Sequence, residues 1–566
     1  MHPPFVARRS NFAVLALTLG LTLASSCSGD QRAVSSGPSG GTLVIAVPAG
    51  PDNLMPPLTV SQVGHAVADL VFDHLAQMGD SMHTVGDGGF QPELASHWTW
   101  ASDSLSVAFH LNPQARWHDG VPVRAADVQF SLALYKNPKV GSPVAPLLAN
   151  VDSISTPDSL TAVAWFHRRT PEEFFDIAYQ LWVVPRHVLD TIPPDRLGTS
   201  DAARHPIGSG RFRFMDWKPG SRLELIADTG NYRGRARLDR VIWSVAPDGQ
   251  AAFAQVMSGQ ADLLLNATTE ELRAAANQPS LRRLAWPSLQ YGFLGMNLRD
   301  PTQHARPNAF LSDLRVRRAI SMALDRRAML QSVFDSMGAL GHGPFPAAAS
   351  TADTTLRVPP FDTAAAAALL DSAGWIRGRD GIRMKAGRRF AVGLLVPSSS
   401  ETRQRYAVLI QEALRQTGID ASIQGMAFGP YVQRLTTGNF DLVMDGVGID
   451  PNIGAVLQAW GTGGAPPNGL NFLGYSSPRV DALMDSATSS FNPVRARAYT
   501  RQAYQQIADD VPAVWLYDAL SYGLISRRFQ VPAVRPDGWW KHLADWTVPV
   551  ADRIDRDRIG LGPPKS

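Results

Sequence analysis

The chain has 566 residues, 45% apolar and 18% charged, a composition that supports more than one buried core and excludes wholesale disorder. Its 53 basic and 50 acidic residues leave a net charge of +3, and no long run of like charges forms a nucleic-acid-binding tail. The single cysteine, Cys27, excludes an intrachain disulfide and a multi-cysteine metal site.

Residues 1–26 read as an export signal. Arg8-Arg9 gives the positive start, Phe12–Leu23 a short apolar core, and Ala24-Ser25-Ser26 a small-residue cleavage region. The apolar core is too short for a stable membrane span. Asn11 stands two places after the second arginine, where the export route for folded proteins has Phe. Cys27 resembles the lipid-attachment cysteine of bacterial lipoproteins, although Ala24 occupies the usual Leu place and Leu23 lies one earlier. Residues 27–41 form a flexible tether rich in Ser and Gly. It contains Gly37-Pro38-Ser39-Gly40-Gly41, a formal match to the serine-hydrolase elbow. A linker precedes that serine and a strand follows it, the reverse of the strand-to-helix setting the nucleophile needs.

Beyond the tether, strand and helix patterns alternate. Thr42–Pro48 is a β-rich apolar run. Val63–Met78 has helical spacing through Val67, Leu70, Val71, His74, Leu75 and Met78. Ser104–Asn112 alternates Leu105, Val107, Phe109 and Leu111 as a half-buried strand. His118-Asp119-Gly120 reads as a turn, since no nucleophile or further metal ligand lies nearby. A helix follows, with Asp127 in its first turn and Val128, Leu132 and Tyr135 on one face. Arg222–Asp228 and Arg240–Pro247 are strands, and Leu314–Phe334 is one long amphipathic helix. Arg389–Pro397, Arg405–Gly418 and Ile419–Met426 read as strand, helix and strand, an α/β order with parallel pairing. Gly341–Pro346 and Gly461–Gly469 are loops. The 13 histidines lack close ligand spacing, so no metal site is expected.

The stretch PELASHWTWASDSLSVAFHLNPQARWHDGVPVRAADVQFSLALYKNP (92–138) resembles the signature block of the peptide/nickel-type substrate-binding proteins of ABC importers, solute-binding protein family 5. Arg124 departs from that pattern, which places a Thr N-cap there. Further blocks follow in the same order: PIGSGRFRFMDWKPG, GNYRG, VMSGQADLL, the segment from FLGMNLRD to the Val316-Arg317 helix, ALLDSAGW, GNFDLVMDGVGIDP and NFLGYSSPRVDALMDSA. The resemblance implies an α/β protein with the two-lobed periplasmic-binding-protein-like fold, type II and cluster C-like, with an inserted subdomain and hinge strands. It places lobe 1 in 42–85, 204–292 and 517–566, the insert in 86–203 and lobe 2 in 293–516.

The same resemblance implies a monomeric, non-enzymatic binding protein without cofactor or metal. It would be exported to the periplasm or cell surface and anchored by lipid at Cys27. There it would hand an oligopeptide or similar polar solute to an ABC permease whose separate subunits hydrolyse ATP. A nickel chelate or an oligosaccharide is the alternative ligand, and a sensory receptor or a secreted hydrolase the alternative role. Asp450 falls on the carboxylate that holds a peptide's amino terminus when the block is counted forward, and Val447 takes that place when it is counted back from Pro451. Phe428, Phe293, Asn297, Asn471, Trp460, Trp515 and Tyr517 fall where the family lines its pocket.

Overall fold

The computed structural model describes residues 39–559 and 561. The signal, Cys27 and the tether up to residue 38 lie outside the described residues. The first strand, Thr42–Val47, is buried along its whole length. It pairs in parallel with Arg240–Val245 and with Leu263–Leu264. It belongs to an eleven-stranded mixed sheet that runs through the entire molecule.

Two long strands, Leu281–Met296 and Ala513–Ser526, lie at the centre of that sheet and pair antiparallel along their length. On one side of them stand Leu263–Leu264, Thr42–Val47, Arg240–Val245, Arg222–Ala227 and Phe212–Lys218. On the other stand Leu442–Gly448, Ala391–Pro397 and Asp420–Met426. Both faces of each half are covered, so four apolar cores form, two per half. Leu284 and Leu289 enter one core of the first half, while Leu294 and Met296, farther along the same strand, enter one of the second. The pairing of the long strands shifts register between Pro287 and Tyr291 and again between Gly292 and Phe293. Such bulges bend and twist a ladder locally. At Gly292 a Cβ would come within 2.2 Å of the Tyr517 ring, so glycine is required where the two strands approach.

A separate antiparallel sheet, in the order Ala95–Trp100, Ser106–Leu111, Thr161–Phe166 and Val151–Asp158, packs into the core of the first half. Helix Ala125–Lys136 buries Val128, Leu132 and Tyr135 beside it. Arg124 gives this helix no side-chain cap. Asp127 compensates by accepting the amides of Arg124 at 2.8 Å and Arg186 at 3.0 Å.

Two helices differ from the sequence expectation. The pattern over Val63–Met78 gives helix Gln62–Val71 only, and Ala76–Met78 is a strand paired with Phe90–Pro92. The chain turns extended at Phe72 and drives Asp73 inward, where it accepts the Tyr232 hydroxyl and pairs with Arg233. The pattern over Leu314–Phe334 gives two helices, Leu314–Ala323 and Arg326–Phe334. Leu324 is extended, and the Asp325 side chain caps the second helix by accepting the Ala328 amide at 3.0 Å.

The His118-Asp119-Gly120 turn is structural. Gly120 has φ of +89°, and Asp119 accepts the Val121 amide at 3.1 Å. The Gly208 amide donates to His118 Nδ1 at 3.2 Å, which leaves the proton on Nε2 to reach the Gly210 carbonyl at 2.9 Å. Burial pushes the His118 imidazole below its usual pKa and favours this neutral form. The histidine thereby holds the 208–210 segment, whose Gly210 amide in turn donates to the Val71 carbonyl at 2.8 Å.

Candidate ligand cleft

A cleft of about 1510 Å³ opens between the two halves of the sheet. The first half lines it with Thr59, His65, Asp69, Tyr179, Trp182 and Trp540. The second lines it with Ser400, Glu401, Arg405, Ile449, Asp450 and Leu470. Trp286, Ser288, Leu289, Gln290 and Ala519 to Tyr522 of the long strands also line it, near where the register shifts.

One wall is built around Asp69. Its carboxylate accepts Trp540 Nε1 at 2.6 Å and Trp182 Nε1 at 2.8 Å, pairs with Lys541 Nζ at 2.8 Å, and meets His74 Nε2 at 3.2 Å. Burial opposes ionisation, but Lys541 and His74 outweigh it and hold the carboxyl well below the usual range. A single fixed charge therefore orients two indoles and a lysine around the aromatic wall. Lys541 also lies over the Tyr179 ring at 5.2 Å, and His65 sits 5.7 Å from Trp182 between ring centroids.

The loop before helix Gln62–Val71 is set by Asp52. It accepts the Val60 amide at 2.9 Å, Thr59 Oγ1 at 3.0 Å and both donors of Ser61. Burial works against ionisation here too, and these hydrogen bonds overcome it to bring the carboxyl down to about 2. The loop presses on the helix at Gly64, where a Cβ would lie 1.8 Å from Thr59 Oγ1.

Asp450 faces this wall from the other half, in the loop after strand Leu442–Gly448. No described residue hydrogen-bonds to it. The side chain is exposed to the solvent of the cleft, and the protein atoms crowded near it raise its pKa, with His65 acting against this. Reciprocally, burial lowers the His65 imidazole, while Asp69, Asp52 and Asp450 pull it back up. The arrangement offers a cationic group a carboxylate that no donor of the chain satisfies.

The other residues named from the sequence lie away from the cleft lining. Phe293, Trp460 and Trp515 form a buried aromatic nest, with Phe293 to Trp460 at 5.6 Å and Trp460 to Trp515 at 6.1 Å. Trp460 Nε1 donates to the Tyr291 hydroxyl at 2.9 Å. Val447, the second candidate for the anchor place, is buried in the same core. Tyr517 stacks on Tyr406 at 5.2 Å. Asn297 spends its amide on the carbonyls of Gly438 and Phe440, and Asn471 on those of Gly461 and Tyr475. Phe428 begins helix Phe428–Thr436 and is 58% exposed. Of the named set, the cleft gathers Asp450 alone. The sequence reading did not single out His65, Asp69, Trp182, Arg405, Trp540 or Lys541. The aromatic run Trp539-Trp540-Lys541 is the signal that could have pointed to this wall.

Among the described residues, no cluster of three or more His, Cys, Asp or Glu could hold a metal ion. No described helix is long and apolar enough to cross a membrane.

The chain is 25% identical over 540 residues to the oligopeptide-binding protein AppA of Bacillus subtilis, covering 90% of this chain and 94% of that one. The structure of that protein in complex with a nonapeptide superimposes with a TM-score of 0.69 at 22% identity, covering 90% and 99% of the two chains. NikZ of Campylobacter jejuni, in complex with Ni(L-His), gives a TM-score of 0.72 at 22% identity, covering 89% and 99%. Both share the fold, a central sheet with two lobes. Residues 89–467 match the description "Bacterial extracellular solute-binding proteins, family 5 Middle", and the chain belongs to that family.

Proposed function

We propose that this chain captures oligopeptides outside the cytoplasm and delivers them to an ABC permease, with ATP hydrolysed by separate subunits. Cys27 carries the lipid that keeps it at the membrane, and the protein is not an enzyme. Asp450 is the observation that carries the peptide reading. It is a solvent-exposed carboxylate lining the cleft, with no hydrogen bond from the described residues, opposite an aromatic wall that stacks on varied side chains without demanding particular donors. A peptide ammonium supplies what Asp450 lacks. The likeness to the oligopeptide-binding AppA supports the same reading, and the likeness to NikZ makes a metal chelate the competing ligand.

The test is calorimetric titration with a tripeptide and its N-acetylated form between pH 4 and pH 8. An ammonium stabilises the ionised carboxyl, so binding lowers a pKa that the crowded protein atoms have raised. Affinity for the amine is therefore complete above that raised value and lost as the pH falls through it. The acetylated peptide should bind at least about tenfold more weakly at pH 7, and Asp450→Asn should flatten the pH profile. Equal binding of both peptides by wild type and variant would refute the amine anchor.

A further inference from the structure

The two halves meet a second time, through side chains that do not belong to the crossing strands. Glu172, at the N-terminal end of helix Glu173–Gln180, reaches the loop that carries Asp450. Its Oε1 accepts the Ile453 amide at 2.8 Å, and its Oε2 lies 3.4 Å from the Gly454 amide. Thr84 Oγ1 donates to the same carboxylate at 2.5 Å. Ile453 is buried in a core of the second half, so the accepted amide is fixed to that half. Two neighbours add to the contact. Arg169 lies 3.9 Å over the Phe491 ring, and Val85 packs on the core that holds Ile453.

This contact has a consequence for the ligand. Asp450 and Ile453 sit in one short loop between strand Leu442–Gly448 and helix Ala455–Trp460. Gly454 offers that helix no side-chain cap, so Glu172 supplies from the opposite half the acceptor the loop lacks. Separating the halves breaks two hydrogen bonds at once. The bonds join the two halves and fix the segment that presents Asp450.

We propose that Glu172 is a positioning residue for ligand retention, a latch across the cleft that holds the Asp450 loop closed and sets the rate of release. It rests on the cleft being the ligand site, but not on the ligand being a peptide. Removing the latch speeds opening, and hence release. Encounter with the ligand uses the open form, which is also more populated once the latch is gone.

Hydrogen exchange at the Ile453 and Gly454 amides tests the latch without any ligand. Dissociation of peptides from a tryptic casein digest, followed by mass spectrometry, tests its effect on retention. Glu172→Ala should deprotect both amides and speed release roughly tenfold. Glu172→Gln keeps one acceptor oxygen and should restore part of the protection. If Glu172→Ala does not fold, the glutamine variant alone decides, by partial deprotection. Unchanged exchange at both amides, or unchanged release with the amides exposed, would overturn the proposal. Should no casein peptide bind at all, the peptide reading fails and the exchange result still judges the latch.

Discussion

Asp69 and Asp450 face the same cleft with opposite electrostatics. Asp69 is surrounded by donors of the chain and stays ionised, while Asp450 has only His65 against the effect of the protein atoms crowded near it. The first is scaffold and the second is free to meet a ligand from solvent. Asp69→Asn should therefore strip Lys541 of its counter-ion and disorder the wall, costing about 3 kcal/mol as for other broken buried pairs. Denaturant unfolding would measure it, and a loss below about 1 kcal/mol would mean that solvent already screens the pair. At this scale the sequence was legible where a residue stands in a recognisable block, as Asp450 does. It was opaque for Asp69, because Trp182, Trp540 and Lys541 are brought to it only by the tertiary fold. Of the aromatic positions carried over by resemblance, Phe293, Trp460 and Trp515 pack inside a core of the second half and Phe428 lies exposed at a helix start, a distinction that only the tertiary packing makes.

Helix Glu173–Gln180 shows what local sequence conceals. Glu172, Glu173 and Asp176 crowd one turn, and burial, then Glu172 and Glu173, raise Asp176 to about 7. Burial likewise raises Glu173 to about 7. In the unfolded chain Asp176 loses its proton near the ordinary carboxyl value of 3.8. The native state thus binds the proton more tightly, and its contribution to stability falls as pH rises from about 4 to about 7. Asp176→Asn should raise the unfolding midpoint at pH 8 by a few degrees and leave it nearly unchanged at pH 4. A drop at pH 8 would show the ionised carboxylate to be in use. The helices Gln62–Val71 and Arg326–Phe334 carry a related lesson. Their apolar periodicity was readable, but their ends were not, because periodicity is blind to an inward-turned Asp73 and to a capping Asp325.

Across the whole molecule, one sheet serves both halves. The strand and helix alternation made the α/β class legible, and the ordered blocks made the family legible. The resemblance put the lobe boundaries at 292/293 and 516/517, inside the two long strands, but the bulges at Pro287–Tyr291 and Gly292–Phe293 come from the pairing of distant strands and were not readable. The described ends are tied together on the first half. Asp557 accepts the Thr42 amide at 2.7 Å, and Arg528 joins Asp557 to Asp262. The two long strands, with their register shift at Pro287–Tyr291, join this half to the other. Native mass spectrometry of the exported protein, with release of its ligand on denaturation, tests this account most directly. The account predicts a retained set of short peptides with unblocked amino termini, lost from Asp450→Ala. A metal chelate or sugar in their place, or peptides retained equally by the variant, would contradict it.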